Sequence, residues 1–285
     1  MADDSMSKER DTYGSNRSTL YGENVFTSLQ VINGIPIFFD QHLERLLLSV
    51  KFYTHSDKYL MSTAEEKIYK SMKEVLKLID INLNYYLRIS ILFHSNELSL
   101  NSDLNDLEII INYQRLPEVE RTLKLKTSLI KKDNSMFPSF FKLGNYSQEI
   151  WELSQVKKEG FNDLLYYNKE GFISECSTSN IFFINNKNIR TPSLDCNCLD
   201  GVTRKQLMKA LERKGHTIEE GQFHLEHLIE SDFAFVTNSV KGLSLVDSID
   251  GKSFKSDKVN YFTVIKEVFA EFCKKHLEEK KSEKL

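Results

Sequence analysis

Lys142 is the first residue in this sequence whose type and surroundings suggest chemistry. It follows an aromatic run, Phe137 to Phe141, and precedes a Gly-Asn turn. A lysine whose stem lies among apolar groups is desolvated, so the pKa of its amine falls and the amine becomes a better nucleophile toward an aldehyde. A surface lysine with an amphipathic stem explains the same pattern. The position alone therefore leaves a reactive and a solvated amine both open.

Two further segments offer partners for a ring nitrogen and for an anion. Glu175 stands where a predicted strand gives way to small hydroxyl residues, and a carboxylate facing a pyridine nitrogen keeps that nitrogen protonated. Residues 201–204 begin a predicted helix, with Thr203 beside its cap, and free N–H groups at such a start bind anions. A capping carboxylate and an ordinary helix start are the structural alternatives. An aldehyde, a pyridine nitrogen and a phosphate are the three groups of pyridoxal 5'-phosphate.

Arg45 and the turn from Thr237 to Ser239 extend this pattern. Arg45 lies on a predicted helix rich in leucine, and an arginine beside an apolar face needs a partner such as a phosphate, whose oxygens a planar guanidinium binds in pairs. Glu44 or Asp40 would serve equally. The turn follows an apolar strand and offers further hydroxyl groups, although many ordinary turns look the same.

The bulk composition excludes several other classes of protein. The 285 residues carry a formal net charge of -3, so no general attraction to nucleic acid or to an acidic membrane is expected. The sequence contains no apolar run of membrane-spanning length and no signal peptide, which predicts a cytoplasmic protein. Four cysteines lack paired metal-ligand spacing, so we expect reduced thiols and no metal.

The hydrophobic pattern predicts alternating strands and helices in two parts. Asn33-Gly34 between two apolar runs predicts a hairpin, and Asp40 and Ser62 are predicted helix starts. Predicted strands cover residues 85–94, 107–112, 123–130, 163–168, 171–174, 181–185 and 233–237, and predicted helices cover 145–159, 203–214 and a terminal segment from 256. We place the junction between two domains at residues 114–119, which contain one of only four prolines.

The order of these segments resembles the class IV aminotransferases, the fold type IV family of pyridoxal-phosphate enzymes. The resemblance runs from residues 21–26 through a His-x-x-Arg-Leu segment at 42–46, Lys142 and residues 171–175 to 201–204 and 237–239. The most family-specific parts are the Glu-x-x-x-x-Asn-Ile-Phe segment from Glu175 and the Thr-Pro that precedes Gly-Val-Thr-Arg. The resemblance as a whole extends over nearly the whole chain.

The resemblance implies an α+β fold, a cofactor and a set of roles. It implies a flexible start (1–16), a small N-terminal α/β domain (17–116) and a larger C-terminal domain (117–285) with a barrel-like sheet, the cofactor between the two domains. Lys142 would hold the cofactor aldehyde and move protons, and Glu175 would pair with the ring nitrogen. The residues that would contact the rest of the cofactor are Arg45, Tyr146, Ile189, Val202, Thr203, Asn238 and Ser239. The family is typically dimeric and acts on small amine substrates, so we expect a homodimer.

Three positions bear on which reaction the chain performs. Thr27-Ser28 stands where branched-chain transaminases usually carry Glu-Gly, and Asn238-Ser239 replaces their Gly-Thr turn; both favour the 4-amino-4-deoxychorismate lyases, with Ser28 acting near the leaving group. Tyr86 and Arg88 instead resemble a Tyr-x-Arg of branched-chain enzymes and could bind substrate. A branched-chain or D-amino-acid aminotransferase is therefore the alternative, and a binding protein without catalytic activity is a third possibility.

Overall fold

The structure is a computed structural model that describes residues 16–95, 99–100, 103–118, 122–133, 141–254 and 259–282. The predicted flexible start lies outside these residues except for Asn16, and so does the predicted helix start at Ser256. The chain divides into two compact units. One comprises residues 1–115 with Phe141–Tyr146, and the other comprises residues 116–140 with 147–285. In the described part of the chain, no helix combines the length and apolar character needed to cross a lipid bilayer.

The first unit is a four-stranded antiparallel sheet covered by helices. Its elements are α1 (Arg17–Tyr21), β1 (Asn24–Ile32), β2 (Ile35–Pro36), α2 (Phe39–Tyr53), α3 (Lys58–Leu78), β3 (Tyr85–His94) and β4 (Asp106–Arg115). The strand order is β2-β1-β3-β4. The predicted hairpin is confirmed, because β1 and β2 pair across Asn33 and Gly34. Both turn residues have positive φ, 51° and 76°, as a tight two-residue hairpin requires.

Two predicted helix starts in this unit are wrong. Helix α2 begins at Phe39 after a left-handed Phe38 with no side-chain cap, so Asp40 lies in the first turn instead of capping it. Helix α3 begins at Lys58, four residues before Ser62, because the Asp57 side chain accepts the Leu60 N–H and caps the helix there. A cap residue decides a start only where the backbone leaves the helical region, which the sequence does not display.

The second unit is built on a larger mixed sheet. Its elements are β5 (Thr122–Lys132), α4 (Ser147–Lys158), β6 (Asp163–Asn168), β7 (Ile173–Cys176), β8 (Asn180–Asn185), β9 (Asn188–Pro192), α5 (Val202–Arg213), β10 (Ile218–Gly221), α6 (Leu225–Ile229), β11 (Phe233–Asn238), β12 (Gly242–Ile249), β13 (Lys252–Ser253) and α7 (Val259–Ser282). The strand order is β10-β9-β8-β11-β12-β5-β6-β7, with β13 beside β12. Pairs β9–β10, β5–β12 and β5–β6 are parallel and the other pairs are antiparallel. The predicted α+β class is confirmed.

The centre of this sheet explains why its strands could be predicted. Strands β6 and β11 are buried along almost their whole length, and such continuous apolar runs bounded by polar residues indicate buried strands. Phe182 and Phe235 stack on neighbouring strands with ring centroids 5.2 Å apart. Helices α5 and α7 cover this side, where Leu207 and Ile265 join the same apolar cluster. The sheet thus forms a rigid platform for the polar residues at its strand ends.

Candidate functional site

Lys142 lies beside β1, held there by the backbone on both sides of it. The Phe26 N–H donates to the Lys142 carbonyl at 3.0 Å, and Val25 pairs with Leu143 in an isolated bridge. The Lys142 Nζ donates to the Tyr146 hydroxyl at 3.1 Å and lies 4.6 Å from the centre of the Phe26 ring. The amine therefore lies beside the aromatic rings of Phe26 and Tyr146, and its predicted reactivity stays a prediction.

Gly144 fixes this loop against the strand. A Cβ atom at position 144 would lie 1.5 Å from Asn24 Oδ1, and the Gly144 N–H donates to the Asn24 carbonyl at 2.9 Å. Only glycine allows so close an approach. Gly144 thus allows the loop that carries Lys142 to pack closely against β1.

Arg45 is hydrogen-bonded to Thr27 of β1, which in turn contacts His42. Its Nη2 donates to Thr27 Oγ1 at 3.1 Å, and Thr27 Oγ1 lies 2.7 Å from His42 Nδ1. Because arginine only donates, the Thr27 hydroxyl accepts from Arg45 and has its own hydrogen left to donate to His42. His42 is 2% exposed, and burial, then the charges of Arg45 and Lys142, lower its pKa well below the usual range. A neutral imidazole fits that hydrogen bond.

Ser28, Tyr86 and Arg88 form a second group, on the opposite face of β1 from Thr27. Ser28 is paired with Arg88 in the register of β1 and β3, and the Ser28 and Tyr86 hydroxyl oxygens lie 3.4 Å apart. The Arg88 guanidinium carbon lies 3.5 Å from the centre of the Phe26 ring, and its Nε donates to Ser90 Oγ at 3.2 Å. Adjacent strand residues point to opposite faces, so Thr27 and Ser28 serve different groups.

In the second unit, Glu175 is held at both carboxylate oxygens. The Leu199 N–H donates to Glu175 Oε2 at 2.9 Å, and Lys132 Nζ lies 3.7 Å from Oε1. The Leu199 carbonyl in turn accepts from Asn180 Nδ2 at 2.7 Å. Asn180 is the asparagine of the Glu-x-x-x-x-Asn segment, and the backbone N–H and carbonyl groups of Leu199 therefore link it to Glu175.

The start of α5 is the position at which the sequence predicts an anion site. Gly201 precedes the helix with no side-chain cap, and the first turn contains no acidic residue. The Thr203 and Ser239 hydroxyl oxygens lie 2.9 Å apart. Thr237, which pairs with Asn180 across the sheet, is 2% exposed, and its buried Oγ1 has no hydrogen-bond partner among the described residues. An uncapped helix start with hydroxyl groups beside it fits a phosphate.

Asn238 shapes the turn that carries Ser239. Its Oδ1 accepts the N–H groups of Val240 and Lys241 at 2.8 and 3.0 Å, and its Nδ2 donates to the Thr178 carbonyl at 2.6 Å. The Asn-Ser turn of the sequence is thus tied to the hydroxyl-rich loop after Glu175. The same loop is also hydrogen-bonded to β6, because the Asp163 carboxylate accepts from the Ser177 hydroxyl and N–H.

Ile189 is placed apart from these polar groups. It is fully buried in the apolar cluster that includes Leu207 and Leu211, and its predicted contact with the cofactor stays a prediction. Val202 is also buried, but the predicted role uses only its backbone at the start of α5. The described contacts group Lys142 with Tyr146, Ser28 with Tyr86, and Thr203 with Ser239.

Sequence reasoning did not assign roles to several residues that hold these groups. They are Thr27, His42, Lys132, Asn180 and Leu199. His42 and Asn180 stood inside the quoted motifs, so their spacing from Arg45 and from Glu175 was the available signal. Lys132 and Leu199 offered no such signal, because a lysine at a strand end and a leucine in a loop are common.

A sequence profile of the Amino-transferase class IV family matches residues 24–249, which cover most of both units and nearly all the groups described above. The chain belongs to this family and is a fold type IV enzyme. Its particular reaction is less closely defined by the individual relatives, which fall into two functional kinds.

Three of these relatives illustrate the division. The aminodeoxychorismate lyase of Bacillus subtilis (strain 168) is 26% identical over 92% of this chain and 89% of its own length. A candidate branched-chain-amino-acid aminotransferase of Rickettsia felis is 28% identical over 81% of this chain and 79% of its own. The structure of the T.th. branched-chain amino acid aminotransferase with pyridoxamine 5'-phosphate has a TM-score of 0.77 and 20% identity, covering 90% of this chain and 86% of that one. The likeness to this last protein establishes the fold.

Proposed function

We propose that this protein is a pyridoxal-phosphate-dependent lyase that releases pyruvate from 4-amino-4-deoxychorismate and leaves 4-aminobenzoate, a step of folate synthesis. The observation that carries this choice is the Ser28 hydroxyl, which lies 3.4 Å from the Tyr86 hydroxyl at a position where branched-chain transaminases usually carry glycine. A hydroxyl there can give a proton to a leaving group, which glycine cannot. The lyase from Bacillus subtilis supports the same choice.

The cofactor assignment is supported by the residues of both units and by a relative. The uncapped start of α5, with Thr203 and Ser239, would hold the phosphate together with Arg45, which the resemblance assigns to it. Glu175 would pair with the ring nitrogen, and Tyr146 would hydrogen-bond the ring oxygen. The T.th. transaminase was solved with pyridoxamine 5'-phosphate. When bound, the cofactor supplies an electron sink that stabilises negative charge next to the substrate nitrogen.

The protein's own groups divide the proton movements between them. The Lys142 amine would take the proton from the substrate carbon. The Tyr146 hydroxyl, which accepts from Lys142 Nζ at 3.1 Å, would hold that amine in place. Ser28 would deliver a proton on the departing side, and Arg88 would bind a substrate carboxylate, since a guanidinium binds two oxygens at once.

The alternative is a branched-chain or D-amino-acid aminotransferase. Arg88 favours it, because its guanidinium is held over the Phe26 ring in the Tyr-x-Arg pattern that resembles branched-chain enzymes. The relative from Rickettsia felis supports it as well. A transaminase would use the same cofactor residues but would need a keto-acid acceptor.

One assay separates the two reactions. The purified protein, loaded with pyridoxal 5'-phosphate, is incubated with 4-amino-4-deoxychorismate, and pyruvate release is measured. We expect release from the wild type and from Lys73→Ala, a change at an exposed lysine, and none from Lys142→Ala. In parallel, L- and D-amino acids with 2-oxoglutarate test for amino-group transfer. Amino-group transfer without pyruvate release would show that the protein is a transaminase and not the lyase.

We also propose a homodimer, as the family resemblance implies, and a cytoplasmic location, as the sequence predicts. Sedimentation velocity of the full chain would give twice the 33.2 kDa mass of one chain. A monomer at micromolar concentration would contradict the dimer.

A further inference from the structure

Lys132 ends strand β5 in contact with three other elements of the second unit. Its Nζ lies 3.3 Å from Glu149 Oε1 on α4, 3.7 Å from Glu175 Oε1 on β7 and 4.8 Å from the centre of the Tyr166 ring on β6. Its side chain is 23% exposed, and the side chains of Glu149 and Glu175 are 22% and 12% exposed. Partners on three sides and this degree of burial distinguish Lys132 from an ordinary surface lysine.

Lys132, Glu149 and Glu175, which we call the charge triad, carry one positive and two negative charges. Their formal sum is therefore one negative charge. Glu175 uses its second oxygen to accept the Leu199 N–H, so both oxygens of the carboxylate are held in position. A partly buried cluster with one excess negative charge is matched to one cation, and a protonated ring nitrogen is such a cation.

Three other titratable groups near Glu175 are neutral or have their own partners. Burial is the main cause, and the charge of Glu152 the second, that raises the pKa of the Tyr166 hydroxyl. The hydroxyl therefore stays protonated and donates to Glu152 at 3.0 Å. Burial and then Glu175 raise the pKa of the Cys198 thiol, against the opposing charge of Arg204. Arg204 itself pairs with Glu220. Lys132 is thus an ionic partner of Glu175 within the charge triad.

We propose that Lys132 is a positioning residue that keeps Glu175 ionised and, with Glu149, sets how strongly Glu175 holds the cofactor ring nitrogen. The proposal rests on the proposed function, because it needs pyridoxal 5'-phosphate at Glu175. Lys132 opposes the negative charge that stabilises the ring cation. Glu149 adds to that negative charge and anchors Lys132. Lys132 therefore weakens, and Glu149 strengthens, the hold of Glu175 on the protonated ring nitrogen.

The first experiment follows the pH dependence of the bound cofactor's visible absorption in the full chain. Lys132→Met leaves two negative charges and should raise the apparent pKa of the absorption change by about half a pH unit or more. Glu149→Gln leaves no net charge and should lower it by a similar amount. The double variant restores a single negative charge and should return to the wild-type value. Lys132→Arg keeps the charge and should also resemble the wild type.

The second experiment needs no cofactor. The pKa of the Glu175 carboxyl is followed by ¹³C NMR in the cofactor-free protein, with its signal assigned by loss in Glu175→Gln. Lys132→Met should raise this pKa and Lys132→Arg should leave it unchanged. Lys131→Met is the matched control, since Lys131 is the adjacent lysine and lies over the Tyr167 ring at 4.5 Å.

The outcomes separate the two proposals. If wild-type protein gains no visible absorption with pyridoxal 5'-phosphate, the proposed function fails, while the NMR titration still tests the pairing of Lys132 with Glu175. If the cofactor binds but Lys132→Met and Glu149→Gln shift its apparent pKa in the same direction, or no more than Lys131→Met does, the role of Lys132 is overturned. Thermal unfolding of each variant verifies that it is folded.

Discussion

The hydroxyl oxygens of Thr203 and Ser239 lie 2.9 Å apart, one in the first turn of α5 and the other just beyond β11. Each residue by itself belongs to a common pattern, a helix start or a turn. Together they place two hydroxyl groups beside N–H groups that the helix leaves without intrahelical partners. The pairing is what makes this helix start a specific candidate for a phosphate.

Ser239→Ala should therefore weaken binding of pyridoxal 5'-phosphate more than binding of pyridoxal, which lacks the phosphate. A hydrogen bond to a charged group contributes about 1.5–3 kcal/mol, or roughly 10-fold to 100-fold in affinity. Dissociation constants for both ligands are measured by fluorescence titration. Ser248→Ala, at a buried serine of β12, serves as control and should alter neither constant. An equal loss of affinity for both ligands would show that Ser239 does not contact the phosphate.

Gly201→Ala should destabilise the second unit through contact with Asn180. The backbone at Gly201 is extended, with φ of -67°, and accepts alanine, but the new Cβ would lie 2.1 Å from Asn180 Oδ1. Overpacking of this kind costs about 1–3 kcal/mol. Thermal unfolding of Gly201→Ala, Asn180→Ala and the double variant forms a cycle in which the double variant should lose less than the sum of the two. Strict additivity would contradict the contact.

Several strands of the second unit were predictable because their apolar runs are continuous and bounded by polar residues. Residues 163–168 were predicted as a strand and form β6 with those bounds. Strand β9 was not predicted, because it is five residues long and includes Arg190 and Pro192. The terminal helix was predicted, and it extends to Ser282. Short or polar elements depend on pairing with distant strands, which a local pattern does not contain.

The candidate site shows the same division between local and distant information. Lys142 and Tyr146 are four residues apart, so their hydrogen bond follows from local structure. The contact of Glu175 with Lys132, 43 positions earlier, depends on the parallel pairing of β5 with β6 and on β7 beside it. Such partners could not be predicted from one sequence, because the local pattern of residues does not contain the register in which distant strands pair.

His42 should make the protein less stable in mild acid. Its folded-state pKa is lowered well below 6.5 by burial first, then by Arg45 and Lys142. As the pH falls below about 6.5, the unfolded chain binds a proton that the folded chain does not, so stability decreases by up to ~1.4 kcal/mol per pH unit until the lowered pKa is reached. At pH values above the pKa of His42 in the unfolded chain, the neutral His42 contributes its full stabilisation. His42→Gln should remove this component.

The test compares midpoints of thermal unfolding for wild type and His42→Gln at pH 7.5, 6.5 and 5.5. The difference between the two proteins should shrink or reverse as the pH falls, because only the wild type loses the contribution of His42. The six other histidines are common to both proteins. Two parallel curves across this range would show that His42 is protonated as easily when folded as when unfolded.

Ser28→Ala should slow pyruvate release without weakening cofactor binding. Ser28 lies on the face of β1 opposite Thr27, beside Tyr86, so its loss does not disturb the hydrogen bonds that hold Arg45. Removal of a proton donor commonly costs about 10²- to 10⁴-fold in rate, and we expect a loss in kcat near the lower end, since Tyr86 can substitute in part. Ser28→Thr, which keeps the hydroxyl, should recover most of the rate. If Ser28→Ala releases pyruvate at the wild-type rate, the proton comes from another group, and Lys142, whose amine already lies among Phe26 and Tyr146, becomes the donor to test.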